Sequence, residues 1–245
     1  MRNRMPDALS AEEAVSMAAP RGLWHSKHDG SVSGPEFASQ PATLAYWRSV
    51  QPHLIGMFKA LLHGGIRSHD GDTCGMHVNI GTDAFGGIEV PHMRGVFRSP
   101  TRAEHIDRFA TLIAANQRWT MRLSQRTHVS MMAWARFDEL DSPVKRTNWA
   151  DSIARHGYAY GSHSVVLNGG HTGRIEFRLP RGTLRFDRFM AKLEWTAAMV
   201  EFTRNPDNVV QPSAFMRWVA AGGEYPQLLA FMRERFNAAR FGETE

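Results

Sequence analysis

The chain has 245 residues, 42% of them hydrophobic and 22% charged, a globular composition with length for a full core and no mark of a disordered or fibrous chain. Its net charge of +5 comes from 29 basic side chains, mostly scattered arginines, against 24 acidic ones; without a Lys/Arg block this suits a phosphate or carboxylate pocket, and nucleic acid is not the expected partner. A single cysteine, Cys74, excludes an internal disulfide, and no run approaches the roughly 18 apolar residues of a membrane span, so a cytoplasmic protein without a membrane partner is expected.

Residues 1–22 read as a poorly ordered lead-in. Arg2 and Arg4 are not followed by an apolar core, because Glu12 and Glu13 interrupt it, so no signal peptide is expected. From 23 to 240 no linker or repeat divides the chain, and one domain is expected. Trp24-His25-Ser26-Lys27-His28 and the run from Val32 to Ser39 read as two strands joined at Asp29-Gly30, a turn dipeptide. Pro35 marks the second as an edge strand. Glu36 alternates with Phe37, and taken alone it reads equally well as an exposed strand carboxylate. Thr43 is placed to cap a helix running to about residue 63, with Leu44, Trp47, Leu54, Phe58, Leu61 and Leu62 on one stripe. Pro52 predicts a kink or a division into two helices, and Gly64-Gly65 ends the run.

Residues 73–80 alternate as a strand. Met76, Val78 and Ile80 share one face; Gly75, His77 and Asn79 share the other, with Gly75 leaving space beside His77. Cys74 reads as an inert thiol. Residues 81–98 are broken by glycines and read as loop with a short strand. Ser99-Pro100 is expected to open a helix to about residue 123, residues 125–137 favour helix, and the polar stretch 138–159 reads as a surface excursion over a site. The run from Gly161 to Asn168 predicts a strand, and 169–173 a turn into Arg174-Ile175-Glu176-Phe177-Arg178-Leu179. This last strand alternates strictly, with Arg174, Glu176 and Arg178 on one face and Ile175, Phe177 and Leu179 on the other. A helix capped by Asp187 follows to about residue 204, then two more near 213–220 and 226–239.

Three strands thus offer polar groups: Glu36; His77 with Asn79; and Arg174, Glu176 and Arg178. Convergent carboxylates and an imidazole suit a hard cation such as Mg²⁺, and arginine forks suit phosphate. Neither a Walker loop nor a Gly-x-Gly-x-x-Gly element is present. The plainer alternative is a row of salt bridges on an ordinary sheet.

The stretches from Asp29-Gly30-Ser31 to Gly34-Pro35-Glu36-Phe37-Ala38-Ser39, Cys74-Gly75-Met76-His77-Val78-Asn79, and Ile175-Glu176-Phe177-Arg178 with Gly182-Thr183-Leu184 occur in an order and spacing that resemble the amidoligase family. Its members are phage and bacterial proteins of the glutamine-synthetase-like carboxylate–amine ligase superfamily. The resemblance covers residues 24–203. It implies an α+β fold with a glutamine-synthetase-like antiparallel sheet and helices packed on one side. It further implies a ligase that uses ATP and Mg²⁺ to join a small-molecule or peptide carboxylate to an amine through an acyl phosphate. It would make Glu36, Glu176 and His77 metal ligands, Glu176, Arg178 and His77 the catalytic set, and Arg174, Asn79, Lys27 and Asp29 cofactor contacts. Two departures stand out. Asn79 replaces a histidine of the family pattern, and the acidic Gly-x-Glu-x-Glu strand expected first has no counterpart before Trp24. A non-catalytic or truncated member, acting by binding, is the alternative.

Overall fold

The computed structural model describes residues 22–28, 35–68, 74–86, 90–92, 96–98 and 101–236. Asp29 and the lead-in 1–21 lie outside these residues. The fold is α+β, with antiparallel strands and a larger share of helix. No described helix is long and apolar enough to cross a membrane. The chain divides into two compact units, residues 1–74 with 182–190, and residues 75–181 with 191–245.

In the first unit, β1 (Trp24–His28) pairs antiparallel with β2 (Pro35–Ser39). The expected helix is divided in two, α1 (Leu44–Ser49) and α2 (Gln51–His63). Thr43 caps α1 by accepting from the Tyr46 backbone N–H at 3.2 Å, and Pro52 stands in the first turn of α2, where its missing N–H costs nothing. Trp24, Trp47, Phe58 and Phe189 form one aromatic cluster, their contacting rings 5.5–6.4 Å apart.

The second unit is built on a three-stranded antiparallel sheet in the order β3 (Val78–Gly81), β7 (Arg174–Phe177), β6 (Leu167–His171). A small hairpin, β4 (Val90–His92) with β5 (Val96–Arg98), lies apart from it in the ladder pairing. The expected helix to residue 123 is two helices, α3 (Arg102–Ala114) and α4 (Gln117–Ser124). Its cap is Thr101 rather than Ser99: Thr101 and Glu104 bond each other's backbone N–H in a capping box. Then come α5 (His128–Trp134) and α6 (Pro143–His156).

Helix α6 corrects the reading of 138–159 as an irregular excursion. Ser142 caps it, Pro143 starts it and Gly157 ends it in the left-handed conformation. Its Trp149, Ala150 and Ile153 are buried, and it packs along α3. The three apolar positions are spaced for one helix face, but that face also buries Arg146 one turn earlier, and a charged residue there obscured the period. Helix α7 (Phe186–Arg204) holds Asp187 in its first turn, and α8 (Pro212–Gly222) and α9 (Pro226–Arg235) follow.

Phe177 of β7 meets Trp195 of α7 at 5.0 Å, and rings continue from there through Trp119, Phe215 and Phe202. These edge-to-face contacts are the apolar core under the sheet. The opposite face is not open either. Residues 175–180 are all buried, the polar ones included. The expected half-buried strand is therefore buried on both faces.

Candidate functional site

Register decides what meets Glu176. Asn79 on β3 and Asn168 on β6 stand directly opposite it, one on each side, and directly opposed residues of an antiparallel ladder share a face. Asn168 reaches that position through a bulge. His171 pairs with Arg174, but between Asn168 and His171 the register shifts by one residue on β6. Gly169 and Gly170 fill the bulge, and Gly161 packs against it so closely that a Cβ there would stand 2.0 Å from Asn168 Oδ1.

Around Glu176 the polar groups close in. Its Oε1 lies 3.2 Å from His77 Nδ1. Its Oε2 accepts from Arg178 Nη1 at 2.9 Å and from Asn168 Nδ2 at 3.1 Å, with His171 Nε2 at 3.6 Å. The Asn168 amide is oriented because its Oδ1 accepts from the Gly170 N–H at 2.9 Å. Glu176 is 8% exposed and Arg178 6%. Burial alone would raise the Glu176 carboxyl, but the His77 hydrogen bond and the Arg178 charge outweigh it and hold the group well below the usual carboxylate range. Glu176 is a carboxylate throughout the physiological range.

That charge fixes the histidine. A carboxylate only accepts, so His77 Nδ1 carries a hydrogen and donates it to Oε1. Arg178 Nη1, also a donor, lies 3.4 Å from the same Nδ1; that approach is a packing contact, since Nδ1 cannot give and take at once. Nε2 is the nitrogen left for chemistry, as in other carboxylate–imidazole pairs. It stands beside Gly75, where a Cβ would lie 3.0 Å from Nε2 and 2.5 Å from Arg126 Nη2. The glycine makes room for both.

Arg126 was not visible as a site residue in the sequence. It is buried and bonds the chain just past β7: Nε donates to the Leu179 carbonyl, Nη2 to the Arg178 carbonyl and Nη1 to Ser130 Oγ. Gln125 before it takes a left-handed φ of 61°, unusual without glycine, and turns the chain from α4 towards the strand. Asn168 and His171 were missed as well. The available signal was their place on the hairpin partner of the Glu176 strand.

Of the expected site residues, the sheet of the second unit brings together His77, Glu176 and Arg178. Asn79 stands opposite Glu176 on an exposed position, and Arg174 lies two residues before it, exposed at the strand end. Lys27 and Glu36 belong to the first unit, directly opposite each other on the hairpin and paired at 3.1 Å.

Taken by themselves, His77 and Glu176 do not fit a divalent cation. Both Glu176 oxygens already accept from N–H donors, and one donor is a guanidinium whose charge is permanent and repels a metal. Among the described residues no group of three His, Cys, Asp or Glu is arranged to hold a metal ion. What the cluster offers is a fixed carboxylate, an oriented imidazole and a buried arginine.

No protein-family model matches the chain, and neither a curated protein nor a solved structure matches it.

Proposed function

We propose that the chain is an ATP-dependent carboxylate–amine ligase of the amidoligase type, with a glutamine-synthetase-like sheet, working in the cytoplasm where ATP is at hand. The observation that supports it best is the contact of His77, Glu176 and Arg178. These residues come from two of the motifs that carry the resemblance, about a hundred positions apart in the chain.

In the reaction, the substrate carboxylate attacks the γ-phosphorus of ATP and ADP leaves, giving an acyl phosphate. The amine nitrogen then attacks the acyl carbon, phosphate leaves with the C–O bond pair, and the amine loses a proton. Arg178 supplies positive charge where the oxyanions gather. His77 Nε2 accepts the amine proton, with Nδ1–H tied to Glu176 so that the ring keeps one tautomer and one orientation. The Mg²⁺ that accompanies ATP in the family finds no ready ligand pair in Glu176 and His77 as they stand.

Hydroxylamine is a generic amine, and it tests the reading without knowledge of the natural one. With ATP, Mg²⁺ and a panel of amino-acid and peptide carboxylates, a ligase makes a hydroxamate and releases phosphate. Glu176→Gln and His77→Gln abolish both. Hydroxamate formation by neither the native chain nor any carboxylate of the panel, together with no thermal stabilisation by millimolar ATP–Mg²⁺, overturns the proposal.

One observation favours the second reading, a non-catalytic binding protein on the same sheet. Glu176 is already satisfied by its neighbours, as a structural ion-pair centre would be. Stabilisation by nucleotide with no turnover selects this reading.

A further inference from the structure

One cavity of the second unit shares no residue with the Glu176 cluster. It has a volume of about 280 Å³ and is lined from the start of α4, from α5 and from the segment 136–141. Its wall combines three apolar side chains, Met131, Met132 and Phe137, with the charged Arg136, Asp138 and Asp141. Ligand pockets run from about 300 Å³ upward, so a cavity of this size suits a small metabolite and neither a nucleotide nor a peptide.

The charged groups are not equally occupied. Asp141 is held by Lys145 at 2.9 Å, and the same Nζ donates to the Asp138 carbonyl at 2.8 Å. The pair of Arg136 with Asp138 is looser. Arg136 Nε and Asp138 Oδ1 stand 3.5 Å apart, beyond the usual hydrogen-bond range. The two side chains are 39% and 58% exposed, and a pair so placed contributes little to stability. Arg136 Nη2 donates to Ser164 Oγ at 3.1 Å; among the described residues Nη1 and the Asp138 carboxylate make no hydrogen bond. Opposite charges therefore stand side by side at the wall, each with hydrogen-bonding capacity to spare.

That combination selects among ligands. A simple cation would suit Asp138 and be repelled by Arg136, and a simple anion the reverse. A small polar molecule without charge would leave Met131, Met132 and Phe137 in contact with water. A free α-amino acid carries an ammonium, a carboxylate and a side chain on one carbon. Its two charges can meet the two halves of the loose pair while an apolar side chain covers the wall. A residue inside a peptide has neither charge. Methionine walls adapt to side chains of different shape, which favours a class of amino acids over a single one.

We infer that this cavity is a seat for a free α-amino acid with an apolar side chain, its carboxylate on Arg136 and its ammonium on Asp138. The seat does not rest on the ligase reading, and it needs neither ATP nor Mg²⁺.

The test uses the full chain labelled with ¹³C at the methionine methyl groups, in phosphate buffer without ATP or Mg²⁺. The signals of Met131 and Met132 are assigned by Met131→Leu and Met132→Leu, made singly. L-leucine and L-phenylalanine are titrated separately. The expected result is a saturable movement of the two signals with at least one of them. Glycine lacks the apolar side chain, the N-acetyl derivative lacks the ammonium, and the amide lacks the carboxylate; each should bind more weakly by about fivefold or more. Asp138→Asn, at an exposed position, should weaken binding roughly two- to fivefold, the range of an exposed ion pair. No movement up to about 50 mM of either amino acid, a range that detects millimolar affinity, overturns the inference. So does a derivative, or glycine, that binds as tightly as the parent amino acid, or an Asp138→Asn chain with undiminished affinity. The two readings fail separately. Amino-acid binding without hydroxamate formation sinks the ligase alone, and turnover with unmoved Met131 and Met132 signals sinks the seat alone.

Discussion

Replacing Glu176 by glutamine keeps the shape of the side chain and removes its charge. In the native chain Oε1 takes the His77 Nδ1–H, and Oε2 takes Arg178 Nη1 and Asn168 Nδ2. A glutamine has one oxygen and one NH₂. Whichever way it turns, its NH₂ faces donors, either the imidazole N–H or the guanidinium and the Asn168 amide. The larger loss is electrostatic, because Arg178 stays charged and buried with no counter-ion on its inner side. Removing one partner of a buried pair costs about 3–5 kcal/mol. Taking 3 kcal/mol, and about 2–4 °C per kcal/mol for a chain of this size, the expected drop in Tm is on the order of 6–12 °C.

The acid limb gives an independent check on the same substitution. The ordinary glutamate value is 4.5, and the folded value is well below it. Between the two, the unfolded chain binds a proton that the folded chain does not, so this part of the stability is complete above about pH 4.5 and drains away as pH falls through the folded value. Glu176→Gln has no such proton and loses that part of the slope. Urea unfolding followed by tryptophan fluorescence reads both effects, since Trp195 lies against Phe177, the next residue on the strand. A loss under about 1 kcal/mol, the size of a single neutral hydrogen bond, with an unchanged acid limb would refute the account of Glu176 as the charged centre of the cluster.

Gly161→Ala puts a Cβ 2.0 Å from Asn168 Oδ1 and 2.7 Å from the Gly170 nitrogen, and should cost about 1–3 kcal/mol of overpacking; Gly222→Ala, with nothing within 4 Å, should be neutral or slightly stabilising, as thermal melts of both will report. Thr101→Ala removes the capping box of α3 and should cost about 1 kcal/mol in urea unfolding, with Thr101→Ser restoring most of it. His105 is fully buried between Gly86 and the Val200 carbonyl, and burial lowers its pKa below 6.5. The unfolded chain therefore protonates first, so stability falls as pH drops from about 6.5 through the folded value; His105→Gln should be less stable at pH 8 and have a flatter slope over that interval.

Several elements were legible in the residues because their causes are local. The turn-flanked strands, the Thr43 cap, the arrest at Gly64-Gly65 and the alternation of 174–179 each depend on a few neighbouring side chains. Strand alternation put His77 on one polar face and Glu176 with Arg178 on another, and their convergence was an expectation from those faces; the resemblance added only roles for them. Helix α6 was missed because one of its buried positions is the charged Arg146 and the rest are surrounded by Lys145, Asp151 and Arg155. Only the face turned towards α3 distinguishes it from a polar loop, and α3 lies some forty residues away in the chain.

The sequence by itself determined that a strand at 174–179 carries Arg, Glu and Arg on one face, since a period of two follows from the backbone of any strand. It could not determine whether that face is wet. Tertiary structure decided that Glu176 and Arg178 are buried, that a one-residue bulge at Gly169-Gly170 brings Asn168 rather than a glycine to the carboxylate, and that Arg126 secures the chain beyond the strand. The physical reason is range. Alternation is set by adjacent peptide units, whereas burial, register and the choice of hydrogen-bond partner are set by segments that meet only when the chain has folded.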